Sequence, residues 1–350
     1  MITAHDRSWR PDEYLDGFEA MTIDLGDDPD GSGPLDATLV RSASPGTVTA
    51  GAVLYVHGFT DYFFNADLAA HFTDRGFAFY ALDLRRCGRS MNDHRPHYTT
   101  DLAEYDVELT AALDVITAET DAAGAPRRIV VAAHSTGGLT TSLWLDRLRR
   151  TDADRHRSIG GLLLNSPWFD LQGEPVLRTA PVGWALRALA AVSPTRELPR
   201  ELSGAYGESL HASAHGRWSY DLRLKPLGGF PVTFGWIAAV REGHRRLHRG
   251  IDIGVPALVL RSDRTRFAGH YTPDVDTADC VLDVRQIAQW SGALGRRVWA
   301  VAVPGARHDV FLSLDEPRRR AYAEVDTWLD TDIVPPVSTD GAVHLEGADQ

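Results

Sequence analysis

Apolar positions along the chain fall into two alternating kinds of segment. Short continuous runs rich in Val, Leu, Ile and Ala recur near residues 52–56, 77–82, 128–134, 160–165, 256–261 and 297–303. Runs of that length, apolar at successive positions, read as strands covered on both faces. Most are separated by stretches of helical period, at 62–75, 102–122, 137–150, 283–294 and 316–329. Two earlier stretches, 18–24 and 36–42, alternate like edge strands across the turn-rich segment from Gly26 to Pro34. The pattern predicts a mostly parallel, eight-stranded sheet with helices on both faces.

The alternation breaks between about 168 and 250, where Trp168, Trp184, Trp218 and Trp236 are interspersed with prolines. Val182 to Val192 reads there as a short amphipathic helix with Arg187 on its polar side. This stretch is expected to be a helical cap or lid over the carboxyl edge of the sheet, where ligands bind in such folds. For any single tryptophan, packing in the core is the simpler explanation. The expected division is a first core part over 1–167, the cap over 168–250, a second core part over 251–330 and a loose tail over 331–350.

The chemistry is concentrated where buried runs end. The run from Ile129 stops at Ala133-His134-Ser135-Thr136-Gly137-Gly138, and a helical segment follows at once. A serine so placed sits on a tight strand-to-helix turn with its hydroxyl clear of the backbone, and small neighbours are needed there. The N–H of Thr136 opens the helix and points where an oxyanion would form. A serine before a helix is also an ordinary N-cap. Three further features set that plainer reading aside. A second buried run ends in His57-Gly58-Phe59-Thr60, a loop in which Phe59 can supply the second oxyanion donor and His57 can order the turn. A late run leads into Gly305-Ala306-Arg307-His308, and His308 is the candidate general base. Between Ser135 and His308 lie two candidate acids, Asp263 just past a strand and Asp279 further on. His134, beside the serine, is expected to pack at the elbow. His57, His134, Trp168 and Trp184 are the candidate substrate contacts.

On these residues the chain resembles, from about 50 to 330, the α/β-hydrolases, and within them the monoacylglycerol lipase and lysophospholipase group. The carrying segments are His57-Gly58-Phe59-Thr60, Asp83-Leu84-Arg85-Arg86-Cys87-Gly88-Arg89-Ser90, Ala133 to Gly138, Asp279-Cys280-Val281-Leu282-Asp283 and Gly305 to His308. Arg86-Cys87 stand where the group usually has Gly-His. The resemblance implies an α/β-hydrolase fold with an inserted cap. It also implies a serine hydrolase cleaving lipid-like or other hydrophobic carboxylic esters through an acyl-enzyme. Ser135, Asp279 and His308 would be the catalytic triad, Phe59 and Thr136 the oxyanion hole, and no cofactor is called for. Asp279 takes the acid role because its segment matches the group's Asp-x-Val-Val-Asp pattern. Residues 263–278 look like an insertion, which keeps Asp263 open as the alternative. An aminopeptidase or amidase, a thioesterase or an acyltransferase would use the same triad, and a non-catalytic binding module would leave it idle.

Composition narrows the partners. A chain of 350 residues with 43% hydrophobic content suits one α/β core with an inserted cap. A net charge of −12 argues against nucleic acid. Basic charge is almost all arginine, with Lys225 the sole lysine, a bias read as genome composition. Met1 to Arg10 has no apolar leader core, and no apolar run approaches the length of a membrane span. The expected partner is a small hydrophobic ester, with transient contact to a lipid surface left open. The two cysteines, Cys87 and Cys280, are far apart and expected to be free thiols in a reducing cytoplasm. The pairs His244/His248, His211/His215 and His94/His97 have metal-like spacing, but each lacks a third ligand nearby, so no metal site is expected.

Overall fold

Strands that are apolar at every position need cover on both sides, and the order of elements supplies it. The computed structural model describes residues 8–334, apart from 30, 32, 45, 92–94, 200 and 201. The strands are β1 (Arg10–Pro11), β2 (Phe18–Asp27), β3 (Pro34–Ser42), β4 (Gly51–Val56), β5 (Phe77–Asp83), β6 (Ile129–His134), β7 (Ile159–Asn165), β8 (Ala257–Ser262) and β9 (Val298–Val303). The helices are α1 (Ala66–Asp74), α2 (Asp106–Ala122), α3 (Thr136–Thr151), α4 (Ala153–His156), α5 (Ala180–Val192), α6 (Ala205–Leu210), α7 (Phe234–Leu247), α8 (Val284–Ser291) and α9 (Asp315–Trp328).

Among the described residues the strands form one sheet in the order β1-β2-β3-β5-β4-β6-β7-β8-β9. From β5 to β9 all neighbours are parallel, whereas β1, β2 and β3 join by antiparallel pairing. The eight expected strands are present as β2 to β9. The addition is β1, two residues long and ending in a proline that has no N–H to donate, too short to show as a period. Strand β9 also differs from the expected buried run. Among the described residues it is the outermost strand, with no neighbour beyond it, and Trp299 and Ala300 are exposed.

Every residue of β4, β5 and β6 is buried. Their side chains alternate between two cores, as a pleat of period two requires. Leu54 and Val131 pack on the side covered by α2, α3 and α7. Val53 and Val130 pack on the side covered by α1 and α9. The chain leaves β4 for β5 on one side and returns to β6 on the other. The carboxyl ends of β4 and β6 are therefore the topological switch point, the place where an open parallel sheet binds ligands.

Between β7 and β8 no strand among the described residues joins the sheet. This stretch carries α5, α6 and α7, and α7 packs into the main core through Trp236, Val240 and Leu247. Helix α5 is different. Gly183 is its one buried described residue, and Trp184 and Val192 are 63% and 83% exposed. After α9 the chain continues as a π-helical turn, Leu329–Ile333, with Ile333 buried against the sheet. The expected loose tail from 335 onward and most of Met1 to Arg10 lie outside the described residues. No helix among the described residues is long and apolar enough to cross a membrane.

Candidate active site

Ser135 is the single residue between the end of β6 and the start of α3. Its φ of 52° and ψ of −118° are costly for an L residue, typically about 1–3 kcal/mol. Three backbone bonds hold it. The Ser135 N–H donates to the Asn165 carbonyl at 3.0 Å, and its own carbonyl accepts from the N–H groups of Gly138 and Trp168, each at 3.0 Å. The Ser135 side chain makes no capping hydrogen bond to α3, so the N-cap explanation does not account for it.

The glycines after it answer to close approach. A Cβ on Gly137 would collide with the His57 carbonyl oxygen and lie 2.8 Å from that of Val56. One on Gly138 would lie 2.7 Å from the Pro167 side chain. Gly137→Ala is expected to cost about 1–3 kcal/mol or more, because the obstacle is backbone that cannot swing aside. A thermal melt checks this, and an unchanged midpoint would contradict it.

The loop after β4 closes over the elbow. A Cβ on Gly58 would sit 3.0 Å from the Ser135 Cβ, so the loop passes close to the serine with no room for a side chain between them. His57 has both ring nitrogens engaged by backbone. Nε2 accepts from Leu84 N–H at 3.1 Å, which leaves Nδ1 to donate to the Gly58 carbonyl at 2.7 Å. The Phe59 ring lies against Trp236, with centroids 4.0 Å apart, and against His97 at 5.2 Å. Thr136 is the first residue of α3, so its N–H has no acceptor within the helix.

His308 is 2% exposed and its Nδ1 lies 2.9 Å from Asp279 Oδ2. The other oxygen, Oδ1, accepts from the N–H groups of Val281 and Leu282 at 2.8 and 2.7 Å. The apparent insertion explains how an acid so far past β8 reaches this place. Residues 264–266 pair with Asp279 when the chain returns. Arg266 N–H donates to the Asp279 carbonyl at 2.8 Å, and Asp279 N–H donates to the Arg264 carbonyl at 3.0 Å. Asp263 is exposed and accepts instead from Gly305 N–H at 2.9 Å, steadying the turn that leads to His308.

His134 is buried, and its ring centroid lies 4.8 Å from that of His308. Its Nδ1 is 3.1 Å from Asp61 Oδ2, and Asp61 Oδ1 accepts from Lys225 Nζ. Burial pushes the Asp61 carboxyl up. The Lys225 charge, the hydrogen bond and charge of His134, and His57 outweigh this and hold it well below the usual carboxylate range. The Tyr206 ring packs on His308 with centroids 5.3 Å apart. Sequence reasoning missed Asp61, Lys225 and Tyr206. The one available signal was that the sole lysine stands in an otherwise arginine-only chain.

The remaining candidates are placed as follows. Trp168 is buried between Trp236 and His244, and its backbone meets Ser135. Trp184 projects from α5 into solvent. His244 and His248 each bond a backbone carbonyl, of Trp168 and Phe169. His211 bonds Ser213 and the Tyr220 carbonyl. His94 lies outside the described residues. Among those residues no cluster of His, Cys, Asp or Glu has a metal-binding arrangement. Cys87 and Cys280 are free and buried, and burial pushes both thiols up. Arg86, where the resemblance has glycine, adopts φ 61°. A depression of about 520 Å3 lined by Arg149, His156 and Asp252 lies at the amino-terminal ends of β8 and β9, the opposite edge from Ser135.

A strained serine on a strand-to-helix turn, at the carboxyl edge of a mostly parallel sheet, defines the class as an α/β-hydrolase. Residues 47–270 match the family model described as serine aminopeptidase, S33, which is more than half of the chain, and the chain belongs to that family. The match spans the loop after β4 and the elbow, and ends before Asp279 and His308. No curated protein sequence matches the chain. Solved structures of the same fold include a soluble variant of monoglyceride lipase from Saccharomyces cerevisiae, 17% identical, covering 95% of this chain and 96% of that one with a TM-score of 0.61. The monoacylglycerol lipase of Paleococcus ferrophilus is 20% identical over 81% of this chain and 95% of its own, with a TM-score of 0.56. An esterase from Pyrobaculum calidifontis is 16% identical over 89% and 84%, with a TM-score of 0.52.

Proposed function

We propose that the protein is a serine hydrolase of carboxylic esters with hydrophobic acyl groups, acting through Ser135, His308 and Asp279. The observation that carries this reading is the arrangement at one sheet edge. An uncapped serine on a strained elbow stands next to His134, whose ring faces a histidine already bonded to a buried carboxylate.

In the proposed reaction His308 takes the Ser135 proton as the oxygen attacks the ester carbonyl. The N–H groups of Phe59 and Thr136 receive the developing oxyanion, and His308 protonates the leaving alcohol. Water then repeats the cycle on the acyl-enzyme. Asp279 holds the Nδ1–H tautomer of His308 throughout. No step calls for a cofactor.

The family description favours a second reading, an aminopeptidase on the same triad. Such an enzyme needs a carboxylate free to receive the substrate's ammonium group. The carboxylate beside the elbow, Asp61, is already engaged by Lys225 and His134, and this supports the ester over the peptide. Side-by-side rates on a p-nitrophenyl ester and an aminoacyl p-nitroanilide separate the two.

Residues 168–250 act in this reading as the cap, with α5 as its lid. The exposed Trp184, Leu189 and Val192 are suited to an acyl chain or a lipid surface. Trp184→Ser is expected to lower activity on an emulsified long-chain ester by roughly tenfold, the value of about 1.4 kcal/mol of lost apolar burial. Activity on a soluble short-chain ester and the thermal midpoint should hold, because the side chain contributes little to the core. Equal losses on both substrates would argue against the lid role. Cytoplasmic placement belongs to the same reading and rests on the two free thiols.

A further inference from the structure

Three successive residues of the loop after β4 are tied to one stretch of the segment between α6 and α7. Thr60 Oγ1 accepts from Phe230 N–H at 2.9 Å, Asp61 Oδ1 accepts from Lys225 Nζ, and Tyr62 Oη accepts from Asp221 N–H at 2.8 Å. The middle tie is ionic and buried. Lys225 is 4% exposed and Asp61 likewise 4%. The ammonium faces the rings of Phe64, Tyr206 and Tyr220, 5.5 to 5.8 Å from their centroids. A buried ion pair is poor value as a source of stability, since apolar residues of similar volume commonly do as well. Its placement points to another role. The far oxygen of Asp61 meets His134, which precedes Ser135 and faces His308.

The tie also dictates a proton position. An ionised carboxylate can only accept, so His134 Nδ1 carries a hydrogen and donates it to Asp61. His134 Nε2 is buried and has no hydrogen-bond partner among the described residues. The elbow histidine is thereby held in one orientation between the loop and His308.

We propose that Lys225 is a positioning residue for acyl transfer, acting through Asp61 and His134 to hold the oxyanion loop against the elbow. The inference rests on the reading of Ser135 as nucleophile. Lys225 and Asp61 lie 164 positions apart in the chain, so the segment from 221 to 230 is a strut of the site.

The test uses the full-length protein, a fluorophosphonate probe and p-nitrophenyl butyrate. Lys225→Met is expected to slow labelling of Ser135 and lower kcat by about 100-fold, the scale of losing one oxyanion donor. KM should change less than about threefold, and a boronic acid that mimics the tetrahedral oxyanion should lose affinity in step with kcat. A role confined to stability would lower the thermal midpoint while leaving kcat per folded molecule intact, and that result overturns the proposal. If Lys225→Met does not fold, the pair Lys225→Met with Asp61→Asn removes both buried charges. The same loss is expected there, and full activity overturns the proposal. Ser135→Ala separates the two levels. If it retains labelling, the reading of the site fails. If it is silent while the Lys225 variants are fully active, only the role of Lys225 fails.

Discussion

Ser135→Ala is expected to lower ester turnover by about 10^5-fold or more, the scale seen when a serine nucleophile is removed, and to leave the protein folded. The second half follows from local structure. The Ser135 hydroxyl makes no bond to the helix it precedes, so its removal orphans no backbone donor. Alanine keeps the Cβ that meets the Gly58 loop, and the φ of 52° costs serine and alanine alike. The backbone bonds to Asn165, Gly138 and Trp168 are untouched. Turnover of a p-nitrophenyl ester, fluorophosphonate labelling and a thermal melt check both halves. A variant that melts like the parent and still turns over would end the assignment of Ser135 as nucleophile.

The second large effect separates two carboxylates. Asp279→Asn is expected to cost about 10^4 in kcat, whereas Asp263→Asn should stay within about threefold of the parent. In the first variant the amide oxygen can still accept from Val281 and Leu282, which satisfies that side of the group. Its NH2 then faces His308 Nδ1, which must become an acceptor. The proton moves to Nε2, and the ring can no longer take one from Ser135. Shape is conserved and the tautomer is wrong. At position 263 an amide oxygen replaces a carboxylate oxygen as acceptor for Gly305 N–H at an exposed site, so the turn is kept. The measurement is kcat for both variants on one soluble ester. A large loss at 263 with little at 279 would reverse the assignment of the acid.

The choice between these two aspartates shows where reading the chain stops. Asp263 stands closer to the end of β8 in sequence, and nothing local disqualifies it. It is displaced because the chain from 264 loops out, returns, and pairs Arg264 and Arg266 with Asp279. That pairing is non-local, and no period or motif within the loop reports it. Lys225 is a stronger case. Its rarity was visible as composition, but its partner Asp61 is joined to it only by the packing of the segment between α6 and α7 on the loop. Helix α5 was legible as a helix, yet its exposed apolar side depends on what lies opposite it in space.

The features that the chain declares by itself are those governed by neighbours in sequence. Doubly buried strands demand apolar residues at every position, helices demand a period of 3.6, and the elbow demands small residues around one serine. From these came the parallel sheet, its helical layers, Ser135, the His57-Gly58-Phe59 loop and the histidine after the last strand. Only the tertiary structure decided which acid meets His308, how the loop after β4 is held, and which apolar surface of α5 faces solvent. Those depend on contacts between residues tens to hundreds of positions apart, and a contact of that kind leaves no trace in either segment until both are folded against each other.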